Sequence, residues 1–123
     1  MGIDHVQLAM PAGAEDEARA FYAGTLGLVE QPKPPLLAVR GGCWFGGGAV
    51  KLHLGVEDDF RPARKAHPAL LVDGLRAFVA ERGLDVRWSD EIPDTVRCHL
   101  DDPFGNRIEL VDTGTDAGGG VAP

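Results

Sequence analysis

Asp102-Pro103-Phe104-Gly105-Asn106-Arg107-Ile108-Glu109-Leu110, near the end of the chain, decides how the rest is read. Its first five residues combine Pro and Gly in a tight-turn pattern. Residues 106–112 then alternate as a strand, with Glu109 between Ile108 and Leu110. An earlier stretch, 49–56, has the same form: Val50, Leu52, Leu54 and Val56 share one face, and Lys51 and His53 lie on the other. Upstream of each strand a histidine leads into a short apolar run, Asp4-His5-Val6-Gln7-Leu8 in one case and Ala66-His67-Pro68-Ala69-Leu70-Leu71-Val72 in the other. The intervals are similar, 48 residues from His5 to His53 and 42 from His67 to Glu109. Two copies of one unit, facing each other, would bring three histidines and a glutamate together.

The order of elements extends the repeat. In the first half, 5–10 alternates as a strand with His5 and Gln7 opposite Val6, Leu8 and Met10. A helix over 14–26 starts on Glu15, Asp16 and Glu17 and stops at Gly27. Pro32, Pro34 and Pro35 form a stiff connection, and 36–40, 43–45 and 49–56 read as strands separated by glycine turns. The second half follows the same plan: a strand over 66–72, Asp73 as helix cap, a helix over 74–82 ended by Gly83, and strands over 84–88, 95–101 and 106–112. Module one is thus 3–57, the linker 58–65 and module two 66–112, all within one domain spanning 1–112. Residues 113–123 are Gly-rich and expected to form a flexible tail.

A chain of 123 residues with 44% hydrophobic and 25% charged residues is an ordinary globular protein able to bury one core. Its net charge of −7 repels phosphate backbones, so nucleic acid is excluded as a partner. There is no apolar stretch near 18 residues and no basic-then-apolar leader, so no membrane association is expected and a cytoplasmic location is. Cys43 and Cys98 make no CxxC pair, and neither is expected to occupy an equivalent place in the two halves. They read as free, small buried hydrophobes.

Asp4-His5-Val6, Phe21-Tyr22, Leu26-Gly27 and the 102–110 stretch, taken together and in order, resemble the vicinal oxygen chelate superfamily. That group includes glyoxalase I, fosfomycin-resistance thiol transferases, extradiol dioxygenases, methylmalonyl-CoA epimerase and bleomycin-resistance proteins. The resemblance covers residues 3–112. It implies an α+β fold in which two tandem βαβββ modules form a curved, incompletely closed mixed sheet around a cavity, with helices outside. It also implies metal ligands at His5, His67 and Glu109, with His53 as a fourth. Glyoxalase I commonly has a glutamate at the His53 position, so this chain departs from it there. The resemblance places His99 where a tyrosine often lies near substrate, and it implies a homodimer.

Two histidines and a carboxylate suit Fe, Mn, Ni, Zn or Co as a divalent ion with open positions for a substrate that chelates through adjacent oxygens. Taken singly, each candidate has an ordinary reading: a strand histidine is commonly a half-buried polar residue, and a strand glutamate commonly faces solvent. Four of them at corresponding positions argue for a shared site. His99 and Glu109 are the candidate catalytic residues, His99 as acid, base or substrate contact. Arg97, on the same strand face as His99, is a candidate substrate contact. Arg61 and Arg64, in a linker with three of the chain's 12 basic residues, can capture an anion or simply be solvated. Trp44 can line a pocket or belong to the core. The expected function is a glyoxalase-like, divalent-metal-dependent enzyme on a small oxygenated molecule. The alternative is a metal-free protein that sequesters a small molecule in the manner of bleomycin-resistance proteins.

Overall fold

A computed structural model of the chain describes residues 1–114, and the part of the expected tail from 115 onward lies outside the described residues. The chain divides into two compact units. The first holds residues 1–63 and takes in the turn 102–106; the second holds 64–101 and 107–114.

In the first unit, β1 (Val6–Met10), β2 (Val29–Gln31), β3 (Cys43–Gly47) and β4 (Val50–Val56) form one sheet in the order β1-β4-β3-β2. β1 runs parallel to β4, and the other pairs are antiparallel. The second unit repeats the plan with β5 (Ala69–Val72), β6 (Arg87–Ser89), β7 (Arg97–Asp101) and β8 (Arg107–Asp112) in the order β5-β8-β7-β6. β5 and β8 are again parallel. With one main helix after the first strand of each sheet, the chain is an α+β protein of two tandem βαβββ modules whose mixed sheets are not closed into barrels.

Alternation sets the two faces of each central strand. Leu52 and Leu54 of β4, Cys98 and Leu100 of β7, and Ile108 and Leu110 of β8 are almost fully buried. Burying such side chains supplies about 1.5–3 kcal/mol each before entropy is counted. His53, His99 and Glu109 fall on the opposite faces, where they keep partial access to solvent. This half-covered placement is what a functional side chain on a strand requires.

The first helix, α1 (Glu15–Arg19), widens into a π-helical stretch over Ala20–Thr25, where the Leu26 N–H donates to the Phe21 carbonyl at 2.8 Å. The widened turn carries Tyr22 into the core. Here the structure corrects one expectation: 36–40 is not a strand. Pro35 stands at the first position of a short helix, α2 (Pro35–Ala38), where its fixed φ suits a helix and its missing N–H costs nothing. The strand that completes the sheet is instead β2, three exposed residues at an edge whose shortness leaves no alternation to detect.

Helix α3 (Leu75–Arg82) corrects another expectation. Gly74, at a left-handed φ of 60°, occupies its cap position. The Leu75 N–H donates to the buried Asp112 carboxylate of β8 at 3.0 Å, while Asp73 accepts from the Thr113 hydroxyl at 2.6 Å. A carboxylate brought by tertiary structure has replaced the local cap. Among the described residues no helix is long and apolar enough to cross a membrane.

Candidate functional site

Strand register makes the internal repeat a matter of position. Gln7 pairs with His53 and Trp44 pairs with His53 in the first sheet; Ala69 pairs with Glu109 and His99 pairs with Glu109 in the second. His53 therefore corresponds to Glu109, Trp44 to His99, and His5 to His67. Cys43 pairs with Leu54 as Cys98 pairs with Leu110. The two cysteines are thus equivalent after all, hidden in the sequence by unequal spacing. Both are buried free thiols, and burial pushes Cys98 up to about 11. Neither is suited to act as a thiolate at neutral pH.

In the second unit this arrangement gathers ionisable groups. His67 Nε2 lies 2.9 Å and His99 Nε2 3.5 Å from Glu109 Oε1. One donor atom from each of the three residues lies within 4.8 Å of the others. Two ligands of one ion, each bonded at about 2.0–2.2 Å, sit roughly 3–3.5 Å apart, so the donors match a divalent cation with little movement. His67 Nδ1 donates to the Lys65 carbonyl at 2.7 Å, which fixes the ring and leaves Nε2 toward the site. Arg97 donates to Glu109 Oε2 at 3.2 Å.

Electrostatics favour the ligand form of two of the donors, Glu109 and His99. Burial pushes the Glu109 carboxyl up, but hydrogen bonds from His67 and Arg97 outweigh it and hold it below the usual range. Burial lowers His99, against the opposing pull of Glu109, and Arg97 lowers it further. A carboxylate and a neutral imidazole are what a divalent ion binds.

In the first unit the corresponding positions hold rings. His53 stacks on Trp44 with centroids 4.2 Å apart and an interplanar angle of 8°, and on His5 at 4.2 Å and 19°. Burial and the neighbouring His5 lower His53, so it is neutral at pH 7. The three rings line a groove of about 1000 Å³ together with Val29, Leu37, Lys51 and others of the same unit. His5 Nδ1 is 2.9 Å from the Asp4 carboxylate.

Of the four expected metal ligands, His67 and Glu109 come together, and His5 and His53 come together in the other unit. His99, expected as an acid–base or substrate group, joins His67 and Glu109 as a third donor. No pattern along the sequence could have given this, because it depends on the β7–β8 register. Trp44, which the sequence left open between pocket and core, lines the groove of the first unit. Arg61 and Arg64 are exposed, with no ion pair among the described residues.

No protein-family model matches the chain, and no curated protein does. Solved structures do match. A glyoxalase family protein from Bacillus anthracis is 49% identical over 91% of this chain and 94% of that one, with a TM-score of 0.87. TnmS3, an antibiotic binding protein from Streptomyces sp. CB03234, is 27% identical over 91% and 98%, with a TM-score of 0.68. Lactoylglutathione lyase from Agrobacterium tumefaciens is 20% identical over 89% and 92%, with a TM-score of 0.61, a likeness of fold alone. The tandem βαβββ plan and near-half identity across nearly the whole chain have one meaning: this protein belongs to the glyoxalase family of the vicinal oxygen chelate superfamily.

Proposed function

We propose that the chain is a divalent-metal-dependent enzyme acting on a small oxygenated substrate, with His67, His99 and Glu109 holding the ion. The convergence of these three side chains on one point carries the reading. When bound, a divalent ion there supplies Lewis-acid stabilisation to a substrate that chelates through adjacent oxygens. The chain's own residues orient the donors: the Lys65 carbonyl fixes the His67 ring, and Arg97 fixes the Glu109 carboxylate. As a ligand, His99 would hold the ion rather than act as the acid or base that the sequence suggested. His5 and His53 were expected to share the ion, and their own substitutions test that share.

Metal analysis of the purified protein beside His67→Ala, His99→Ala, Glu109→Ala, His5→Ala and His53→Ala is the deciding experiment. Near-stoichiometric Mn(II), Ni(II), Zn(II) or Fe(II) in the wild type, lost in the first three variants, supports the reading. Retention of metal in His99→Ala returns His99 to an acid–base or substrate-contact role. A wild type that stays metal-free after incubation with each ion removes the enzyme reading.

One observation favours a second reading, a metal-free small-molecule binder. The Trp44–His53–His5 stack lines a groove in the first unit without help from any metal-type cluster. TnmS3, at 27% identity, is an antibiotic binding protein. Tight binding of a planar compound by metal-free protein, unchanged in Glu109→Gln, would favour it.

A further inference from the structure

Arg97 and Glu109 form a tethered pair beside the two histidines. The Arg97 guanidinium reaches Glu109 Oε2 at 3.2 Å, while Oε1 faces His67 and His99. Both side chains are only 13% exposed. Glu109 is the one hydrogen-bond partner of the Arg97 side chain among the described residues, and Arg97 Nε is buried without any. The other acid near Arg97 is Glu91, 3.9 Å away with a side chain 83% exposed, where solvent screens it.

Charge counting follows. Two neutral imidazoles, one carboxylate and one guanidinium sum to zero, so a divalent ion held by them keeps its full double charge. Arg107 adds positive potential at His99, and Arg87 is paired with Asp101. The same three ligands without Arg97 would halve the excess. In the first unit the position equivalent to Arg97 is Gly42, where a Cβ would stand 2.2 Å from the Leu54 carbonyl oxygen, so no side chain fits. A cation at this strand position therefore belongs to the second unit alone.

We propose that Arg97 makes this centre selective for an anionic, doubly oxygen-donating ligand, by tying up one oxygen of Glu109 and leaving the charge of the ion uncompensated. The inference rests on the metal reading above. The substrate class it names is a carboxylate with an adjacent carbonyl or hydroxyl oxygen, or another anion of equivalent bite. Such a ligand supplies the charge that the protein withholds, and a neutral chelator of the same shape does not. Arg97 acts here as a positioning residue that also sets the charge.

The test is calorimetric and has two stages. Zinc is titrated first into wild type, Arg97→Gln and Arg97→Lys, each checked for fold by circular dichroism. Oxalate, a dianionic two-oxygen chelator, and glycolamide, a neutral one, are then titrated into the zinc-loaded proteins. Expected are oxalate binding to the wild type well above that of glycolamide, a loss of about tenfold or more for oxalate in Arg97→Gln, and recovery of most of it in Arg97→Lys. Glycolamide binding stays level across the three. Equal oxalate affinity in wild type and Arg97→Gln overturns the inference and leaves the metal reading standing. So does loss of zinc by Arg97→Gln but not by Arg97→Lys, which would restrict Arg97 to orienting Glu109. Failure of the wild type to bind zinc ends both.

Discussion

The Tyr22 hydroxyl donates to the buried Asp102 carboxylate at 2.6 Å, joining residues 80 apart in the chain. Asp102 also accepts from the Phe104 and Asn106 backbone N–H groups and from the Asn106 amide, which in turn holds the Ala9 carbonyl. The turn 102–106 is thereby built into the first unit while the strands it connects belong to the second. Removing one partner of a buried, charge-assisted bond costs about 1–3 kcal/mol, so Tyr22→Phe should lower stability by that order. Asp102→Ala, which orphans several donors at once, should cost more. Urea denaturation of both variants checks the order.

Tyr22 also predicts a pH dependence. Burial first, then the Asp102 charge and the hydrogen bond, raise its pKa far above the usual phenol value. In the unfolded chain the phenol ionises near pH 10, while in the folded protein it stays neutral. A raised folded-state pKa gives stability that is complete below the unfolded value and is lost as pH rises above it. Because the chain has one tyrosine, absorbance near 295 nm reports this group alone. Tyrosinate should appear only together with unfolding, and ionisation near pH 10 in folded protein would contradict the buried bond.

Gly42 predicts a backbone effect. Its φ of 86° is left-handed, its N–H donates to the Glu15 carboxylate at 2.8 Å, and an added Cβ would meet the Leu54 carbonyl oxygen. Gly42→Ala must therefore shift backbone as well as accept a disfavoured conformation, a cost of roughly 1–3 kcal/mol or above. Gly48, also at positive φ but with open space around it, is the control, and Gly48→Ala should cost less. Thermal melts of the two variants decide it.

How far the fold could be read from the sequence depended on whether the signal was local. The alternation through Leu52-His53-Leu54 and Ile108-Glu109-Leu110 is dictated by burial on one face, and both strands lie where it puts them. The β2 strand has three exposed residues and no such pattern, and Pro35 turned the neighbouring apolar run into a helix. The grouping of side chains at the candidate site was legible in the same measure. His67 and Glu109 followed from the repeat, whereas His99 as a donor required knowing which residue of β7 stands opposite Glu109. Equivalence of Cys43 and Cys98 was missed for the same reason.

The His53–Trp44 stack predicts a spectroscopic titration. A neutral imidazole 4.2 Å from the indole becomes a cation over its face when protonated. Burial, then His5, hold the His53 pKa below 6.5, so the transition should lie below that pH. Trp88→Phe leaves Trp44 as the sole tryptophan, since the chain has two. Its emission should fall on acidification with a midpoint under 6.5, and His53→Gln should abolish the step. A midpoint above 6.5 would mean that His53 is not desolvated in the groove.

Metal addition and removal give the last prediction. An ion that binds the folded protein and not the unfolded chain stabilises it by mass action, by about 2.7 kcal/mol at a free concentration one hundred times the dissociation constant. Zinc should therefore raise the melting temperature of the wild type by several degrees, and a chelator should reverse the rise. Glu109→Gln keeps the shape of the side chain but loses its charge, so it should melt at the same temperature with or without zinc. His5→Ala separates the two groups of rings. If it still responds to zinc as the wild type does, His67, His99 and Glu109 suffice for the ion; if the response disappears, His5 is one of its ligands.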